Sequence, residues 1–135
     1  MSGPSRPVAP ASIAPPAARY AHAVVSEAPG RLLHTSGVVP VAPDGSVPDD
    51  LAAQAATVWA NIAAVLAEAG MAVTDVVSVT TYVVVGNDLA TVMAARDAAL
   101  GGHLAASTLL LVPALARPEW RMEIAVVAVG AAALG

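Results

Sequence analysis

Glu123 is the one ionisable side chain in the apolar run from Met122 to Val129. A carboxylate in such a run either faces water or lies in a cleft where it handles protons. The strand-like segment before it, 107–112, carries no charge, so a cleft built from both segments would lack a cation for an anionic ligand. The pattern alone favours a surface interpretation, in which Glu123 pairs with Arg121 two positions earlier on the same strand face.

Other reactive side chains are few. Ser107 and Thr108 could act as nucleophiles, but no histidine or lysine has a spacing that would supply their base. The histidines, His22, His34 and His103, show no metal-ligand spacing. The chain has no cysteine, and all of its basic residues are arginine. Disulfides, thiolate metal sites, Schiff-base chemistry and a phosphate-loop lysine are therefore excluded, and we expect neither a metal nor a cofactor.

Composition narrows the range of partners. The net charge of −4, the pI near 5.1 and an aromatic content of 3% offer neither a phosphate-binding stripe nor a base-stacking platform, so we expect no nucleic-acid partner. The 57% hydrophobic content is more apolar surface than a small monomer readily buries, which predicts self-association. Glycine, proline and charged residues interrupt every apolar run before about 18 residues, so we expect no membrane span. The amino-terminal segment is proline-rich and does not resemble a secretory signal, which predicts a cytoplasmic protein.

The pattern of residues predicts one domain. Residues 1–18 are expected to form an extended proline-rich arm with a disordered distal end, residues 19–130 the domain, and residues 131–135 a tail. Segments 21–25 and 31–36 are predicted to form a hairpin across the turn at 28–30.

Helices are predicted from the aspartates near 50 to Gly70, and from Asn87 or Asp88 to about Leu100. Further strands are expected at 75–85, 107–113 and 121–129, in the order ββαβαββ. These elements predict an α+β fold in which two helices cover one face of a single mixed sheet. The other face is left apolar and open to association.

Several short motifs, in this order and spacing, resemble the RidA family, also called YjgF or L-PSP. The resemblance extends from about Ser12 to Val129. Its pieces are Tyr20-Ala21-His22-Ala23-Val24, His34-Thr35-Ser36-Gly37-Val38-Val39-Pro40, Gln54 to Asn61-Ile62 with Val65-Leu66, Gly70 with Asp75-Val76-Val77, Asn87-Asp88-Leu89-Ala90-Thr91-Val92-Met93, and Met122-Glu123-Ile124 with Ala128.

The resemblance implies a homotrimer with a chorismate-mutase-like fold and clefts between subunits. Family members hydrolyse 2-imino acids or their enamine tautomers to keto acids and ammonia, and an arginine opening a strand grips the substrate carboxylate. A glutamate in the last strand helps to position or activate water, and this glutamate falls on Glu123. The family's cleft tyrosine and serine fall on Tyr20 and Ser36; the competing interpretations are a hairpin-covering aromatic and a turn residue.

The chain departs from the family at the arginine, which falls on Ser107 in Ala106-Ser107-Thr108. Met93 stands where an asparagine is frequent, and Leu109 where the family has a cysteine. A guanidinium bound to a carboxylate contributes roughly 1.5 to 3 kcal/mol, against about 0.5 to 1.5 kcal/mol for one serine hydroxyl. Carboxylate substrates therefore lose their anchor unless another arginine replaces it.

The sequence thus predicts a RidA-like trimer that binds a small, neutral or weakly polar molecule between subunits. Glu123 is the candidate catalytic residue, handling water or protons in the hydrolysis of an imine, an enamine or a related substrate. The expected binding residues are Tyr20, Ser36, Gly37, Met93, Ser107, Thr108 and Leu109. Two alternatives remain open, a non-catalytic ligand-binding or interaction trimer and an L-PSP-type endoribonuclease, the latter opposed by the acidic, lysine-free composition.

Overall fold

The computed structural model describes residues 3–28 and 30–132. In these ranges the order of regular elements is βββαβαββ, with one 3-10 turn, Val73–Asp75, before the fourth strand. The elements are β1 (Ser5–Val8), β2 (Ala23–Ser26), β3 (Arg31–His34), α1 (Leu51–Glu68), β4 (Val76–Val84), α2 (Leu89–Leu100), β5 (Ala106–Val112) and β6 (Met122–Gly130).

Four strands form a mixed sheet in the order β3-β6-β4-β5. β6 runs antiparallel to both β3 and β4, and β4 runs parallel to β5. The parallel pair is joined through α2, as a parallel connection requires a crossover. Strand β4 lies inside the sheet, a position that suits its dense Val and Thr content.

Both helices are capped as the sequence predicts. Asp50 accepts a hydrogen bond from the Ala53 amide at 3.1 Å at the start of α1, and Asp88 accepts one from the Ala90 amide at 3.2 Å at the start of α2. Gly101, at the end of α2, has a left-handed backbone with φ of 57°, which favours glycine.

The core lies between the helices and one face of the sheet. Alternate residues of β4 and β6 are buried on this side, and the apolar stripes of both helices pack against them. We call this the helix side and the opposite face the open face. The buried residues include Val58, Ile62, Leu66, Val92, Val76, Val79, Val83, Met122, Ile124 and Val126. Trp59 also packs in this core and is 5% exposed.

Two polar side chains, one buried and one half-buried, connect distant parts of the chain. The Gln54 side chain donates to the carbonyl oxygens of Pro48 and Glu119 at 2.8 and 2.9 Å and accepts from the Arg121 amide at 2.9 Å. Arg31 donates to the carbonyl oxygens of Ala69 and Ala131, at 2.6 and 3.1 Å. Its positive charge therefore lies at the carboxyl end of α1, where the helix dipole favours a cation.

The predicted hairpin between segments 21–25 and 31–36 is wrong. β2 pairs with β1 as a separate antiparallel ribbon, Ser5 opposite Ser26, whereas β3 pairs with β6. A four-residue strand has too few side chains to specify its partner, so two neighbouring strands in the sequence were assigned to each other by proximity. Strand β1 lies in the segment that the sequence predicted as an extended arm.

The expectation that no apolar segment reaches membrane-spanning length is also wrong by length and composition. Helix α1 has 18 residues and a mean hydropathy of 1.3. Its apolar stripe, however, packs against the sheet in the manner of a core helix. Gly70 does not shorten this run, because it follows the end of the 18-residue helix.

Candidate functional site

Glu123 lies on the open face, near the start of β6. Its neighbours along the strand, Met122 and Ile124, are both fully buried on the helix side, so strand alternation turns Glu123 the other way. The side chain is half-buried, and its partner across the sheet is Tyr82 of β4. In the described part of the chain Glu123 has no ion pair, so the predicted surface pairing with Arg121 does not form.

The segment after β3 brings Gly37 against the Glu123 carboxylate. The Thr35 amide donates to the Val126 carbonyl at 3.0 Å, and the Val38 amide donates to the Ile124 carbonyl at 2.7 Å. Three residue steps in this segment therefore oppose two in β6, which is a bulge-like offset. A Cβ on Gly37 would overlap Oε2 of Glu123 and lie 2.9 Å from its Cδ. Any larger residue at position 37 would therefore displace the Glu123 carboxylate.

Ser36 is exposed beside Gly37, at a cavity of about 420 Å³. Segment 34–41 forms one wall of this cavity, and Asn61 and Val65 of α1 line the other. The Asn61 amide nitrogen donates to the carbonyl oxygens of Val39 and Val41 at 3.3 and 2.9 Å, which holds the segment in place. The structure thus brings together three of the predicted residues, Ser36, Gly37 and Glu123.

Ser107 lies on the opposite side of the sheet from Glu123. Its partner is Val79, which is buried on the helix side, and the Ser107 Oγ is 3.4 Å from Nη1 of Arg96 on α2. Arg96 is itself buried and donates through Nε and Nη2 to Oδ1 of Asp97, at 3.1 and 3.0 Å. The guanidinium closest to Ser107 is therefore neutralised by a carboxylate and separated from Glu123 by the sheet.

The neighbouring predicted residues divide between the two faces. Thr108 pairs with Thr80 and is exposed on the open face, the face of Glu123. Leu109 pairs with buried Thr81 on the helix side. Met93 is half-buried on α2, one position after the buried Val92, and so also belongs to the helix layer. Of the predicted β5 residues, Thr108 is the one that shares a face with the carboxylate.

Tyr20 lies at the far edge of the sheet. The amide of Ala21 donates to the Ala105 carbonyl at 2.9 Å, which places Tyr20 beside the outer edge of β5. Its ring meets His22 edge-on, with centroids 6.2 Å apart, and lines an apolar cavity of about 390 Å³. Four strand spacings separate this edge from Gly37, roughly 19 Å at about 4.8 Å each. One subunit therefore does not bring Tyr20 to Glu123.

Tyr82 is a site residue that the sequence analysis missed. It lies directly opposite Glu123 across the β4–β6 pair, where side chains are about 5 Å apart. Thr80 and Ser78 follow on the same face of β4, so hydroxyl groups lie in a row beside the carboxylate. Strand alternation in 76–84 predicts which side chains share this face of β4. The residue that lies opposite each of them on β6 follows only from the register of the two strands.

The described residues contain no cluster of three or more histidine, aspartate or glutamate side chains that could hold a metal. None of the arginines in the described ranges makes an ion pair with Glu123. Arg121 is exposed and lines a cavity with Asp49, Asp50 and Asp88 at the helix amino termini. The arrangement around Glu123 can therefore accept protons and bind polar or cationic groups, but it offers no cation to an anion.

Comparisons with known proteins agree with this fold. The family model for Endoribonuclease L-PSP matches residues 11–130. YyfB of Yersinia pestis, from the conserved Rid protein family, is 36% identical with a TM-score of 0.85, over 93% of this chain and 98% of that one. The YjgF gene product of Escherichia coli is 32% identical with a TM-score of 0.68, over 92% and 98% of the two chains. The 2-iminobutanoate/2-iminopropanoate deaminase of E. coli strain K12 is 43% identical over 75 residues, 55% of this chain.

Two helices on one face of a mixed sheet define the chorismate-mutase-like α+β fold that the sequence predicts. The chain belongs to the RidA family, also called YjgF or L-PSP. Its alignment with the E. coli deaminase covers 59% of that protein's length.

Proposed function

We propose that this chain forms a homotrimer with a small-molecule cleft between subunits, and that Glu123 handles water or protons there in the hydrolysis of an imine or enamine. The observation that carries the proposal is the half-buried Glu123 carboxylate held against Gly37 on the open face. Relatives named 2-iminobutanoate/2-iminopropanoate deaminase support the reaction class.

Assembly is supported by the division of the predicted site between two parts of the sheet. Glu123, Ser36 and Gly37 lie in the half of the sheet that contains β3 and β6, and Tyr20 and Thr108 lie towards the β5 edge. Exposed apolar side chains, Leu110 at 41% and Leu111 at 54%, lie on β5, the edge strand of the sheet, beyond the bridge that Ala21 makes at Ala106. An uncharged edge strand of this kind favours burial by another copy. Two copies would place one subunit's β5 edge beside the next subunit's Glu123.

The substrate is not expected to be a 2-imino acid. By the family resemblance Ser107 stands where the family has its arginine, and Arg96, which approaches Ser107, is paired with Asp97 on the other face from Glu123. A substrate carboxylate would therefore meet an unpaired glutamate without a compensating guanidinium, and like charges repel.

An ammonia-release assay tests the proposal. The full-length protein is incubated with freshly generated N–H imines, including 2-iminopropanoate, and we expect at least one to be hydrolysed faster than in buffer while 2-iminopropanoate stays near the buffer rate. Glu123→Gln should reduce the acceleration by on the order of a hundredfold, the size expected for loss of a general acid or base. Glu119→Gln, which removes an exposed carboxylate on the loop before β6, is the matched control and should retain activity.

A non-catalytic binding trimer is the second candidate, favoured by the absence of Ser107 and Leu109 from the face of Glu123. Binding of a small ligand in the cleft with no acceleration for any imine would support it over the hydrolase. RNA cleavage that disappears in Glu123→Ala would instead support the hypothesis of an endoribonuclease, which the name of the family model suggests.

A further inference from the structure

Among the described residues of the four strands, the open face of the sheet carries one formally charged side chain, Glu123. Arg121, which directly precedes β6, is exposed and lines the cavity with the aspartates at the helix amino termini. The other strand positions on this face are hydroxyl or aliphatic side chains and His34, which pairs with Val127. His34 lies four residues along β6 from Glu123, roughly 13 Å at about 3.3 Å per residue. The electrostatic character of this face near Glu123 is therefore set by one carboxylate.

The described arginines that could balance this carboxylate have other positions or partners. Arg96 is paired with Asp97 on the helix side, and Arg31 caps α1. Arg6 is 3.9 Å from Glu27 on the ribbon, and Arg19 lines a cavity with Asp97 and His103. Arg117 is exposed on the loop between β5 and β6. Within one subunit, a ligand that reaches Glu123 from the open face thus meets negative charge, and no arginine of the described ranges makes an ion pair with that carboxylate.

Tyr82 adds an aromatic ring next to the carboxylate. Its half-buried side chain lies directly across from Glu123, and Leu110 follows in the same row on β5. A carboxylate beside an aromatic ring suits a cation, because the ring face attracts positive charge and the carboxylate pairs with it. The same pair repels a carboxylate.

We propose that the cleft around Glu123 selects a small cation, a protonated imine or an amine that carries no carboxylate. This inference rests on the proposed function for the location of the cleft, and it names the charge class of the substrate. Glu123 pairs with the nitrogen-bearing cation, Tyr82 packs against it, and Thr80 and Thr108 offer hydroxyl groups to the rest of the ligand.

The reaction of such a substrate balances with water alone. Water adds its oxygen to the iminium carbon while Glu123 accepts a proton from it, which gives a carbinolamine. Glu123 then transfers that proton to nitrogen. As the carbon–nitrogen bond breaks, the hydroxyl group returns a proton to Glu123, which leaves a carbonyl product and ammonia, and the ammonia takes up this proton and leaves as ammonium. An iminium and one water therefore give a ketone or aldehyde and ammonium, with the total charge unchanged and no oxidant or reductant needed.

Binding of three probes of similar size tests the charge class directly. Propan-1-amine, which is a cation at neutral pH, propan-1-ol and propanoate are titrated into the full-length protein by calorimetry and by NMR. We expect the amine to bind at least about tenfold more tightly than the alcohol, and propanoate to bind more weakly than either. The amides of Gly37 and Glu123 should shift with the amine.

Variants identify the groups responsible. Glu123→Gln should bring the amine to the affinity of the alcohol, and Glu119→Gln should leave it unchanged. Tyr82→Phe should retain binding because the ring remains, whereas Tyr82→Leu should weaken it several-fold. Propanoate binding equal to or tighter than that of the amine would overturn the inference, and loss of that binding in Arg117→Gln would show which cation had been overlooked.

Turnover separates this inference from the proposed function. Ammonia release is measured from propan-2-imine, generated in situ, and from 2-iminopropanoate. Faster hydrolysis of propan-2-imine supports the inference. Preference for the amine with no turnover of either imine also supports it, while removing the hydrolase proposal. Efficient hydrolysis of 2-iminopropanoate alone overturns the inference and leaves imine deamination in place.

Discussion

At the scale of single residues, Gly37 determines where the functional carboxylate lies. A methyl group at this position would occupy the space of the Glu123 carboxylate oxygen. The atoms in conflict are the far end of a flexible side chain, so the fold can absorb the change while the carboxylate moves. Gly37 is therefore a positioning residue for Glu123.

Gly37→Ala should reduce Glu123-dependent binding or turnover by on the order of tenfold to a hundredfold, because a displacement of about 1 Å is enough to misplace a reacting group. The midpoint of thermal unfolding should change little. The double variant Gly37→Ala with Glu123→Gln should be no worse than Glu123→Gln alone, since both changes act through one carboxylate. An additive loss would show that Gly37 acts by another route.

Ser107 illustrates a limit of sequence reasoning at the same scale. Glu123 was found as a charge in an apolar strand, and the family pattern assigned the missing arginine to Ser107. Whether two residues on different strands share a face depends on the register of both with β4, and a one-residue shift exchanges the faces. The register gives Thr108 to the face of Glu123 and Ser107 to the face of Arg96. The same information was needed to find Tyr82.

At the scale of elements, Gln54 connects α1 to the loop that precedes this helix and to the loop that leads into β6. Its buried amide satisfies three backbone groups, on Pro48, Glu119 and Arg121. Backbone groups in such irregular segments cannot find partners in a helix or sheet ladder. The side chain therefore fixes the entry into β6, the strand that carries Glu123.

Gln54→Leu should lower the free energy of unfolding by about 2 to 4 kcal/mol, because a leucine of similar volume leaves those backbone groups unpaired. Chemical denaturation measures the difference. Thr57→Ala is the matched control, since the Thr57 hydroxyl donates only within α1, to the Ala53 carbonyl at 2.9 Å, and its loss should cost less than about 1 kcal/mol. Equal losses in the two variants would contradict this role for Gln54.

The elements themselves were largely predictable. Aspartate caps, a 3.6-residue apolar stripe and terminal glycines are local signals, and they gave both helices and their ends. The pairing of β2 was not predictable in this way, because it depends on β1, four residues that the sequence assigned to a proline-rich arm. Strand existence follows from local composition, whereas strand partnership follows from the whole chain.

At the scale of the whole molecule, the open face and the β5 edge should be covered by other copies. Leu110 lies on this face in the same row as Tyr82 and Glu123, and 41% of its surface is exposed. A charge at such a position would have to be buried on assembly without a partner. The oligomeric state therefore tests the cleft and the fold together.

Leu110→Asp should convert the expected trimer into smaller species, measured by sedimentation or light scattering at several concentrations. Ala64→Asp adds the same charge at an exposed position of α1 and should leave the trimer intact. The circular dichroism of both variants should match that of the parent chain. A trimer that persists in Leu110→Asp would place the interface elsewhere.

The position of β6 has a consequence for how the molecule reaches its native state. This strand is the last of the sheet in sequence, yet it lies between β3 and β4 and pairs with both. The loops closed by these pairings are long. The chain therefore loses conformational entropy in closing them before it gains the strand contacts that compensate for this loss. Until β6 is in place, β3 and the β6-facing edge of β4 have no partner strand in this sheet. The strand that carries Glu123 is therefore the one that completes the sheet.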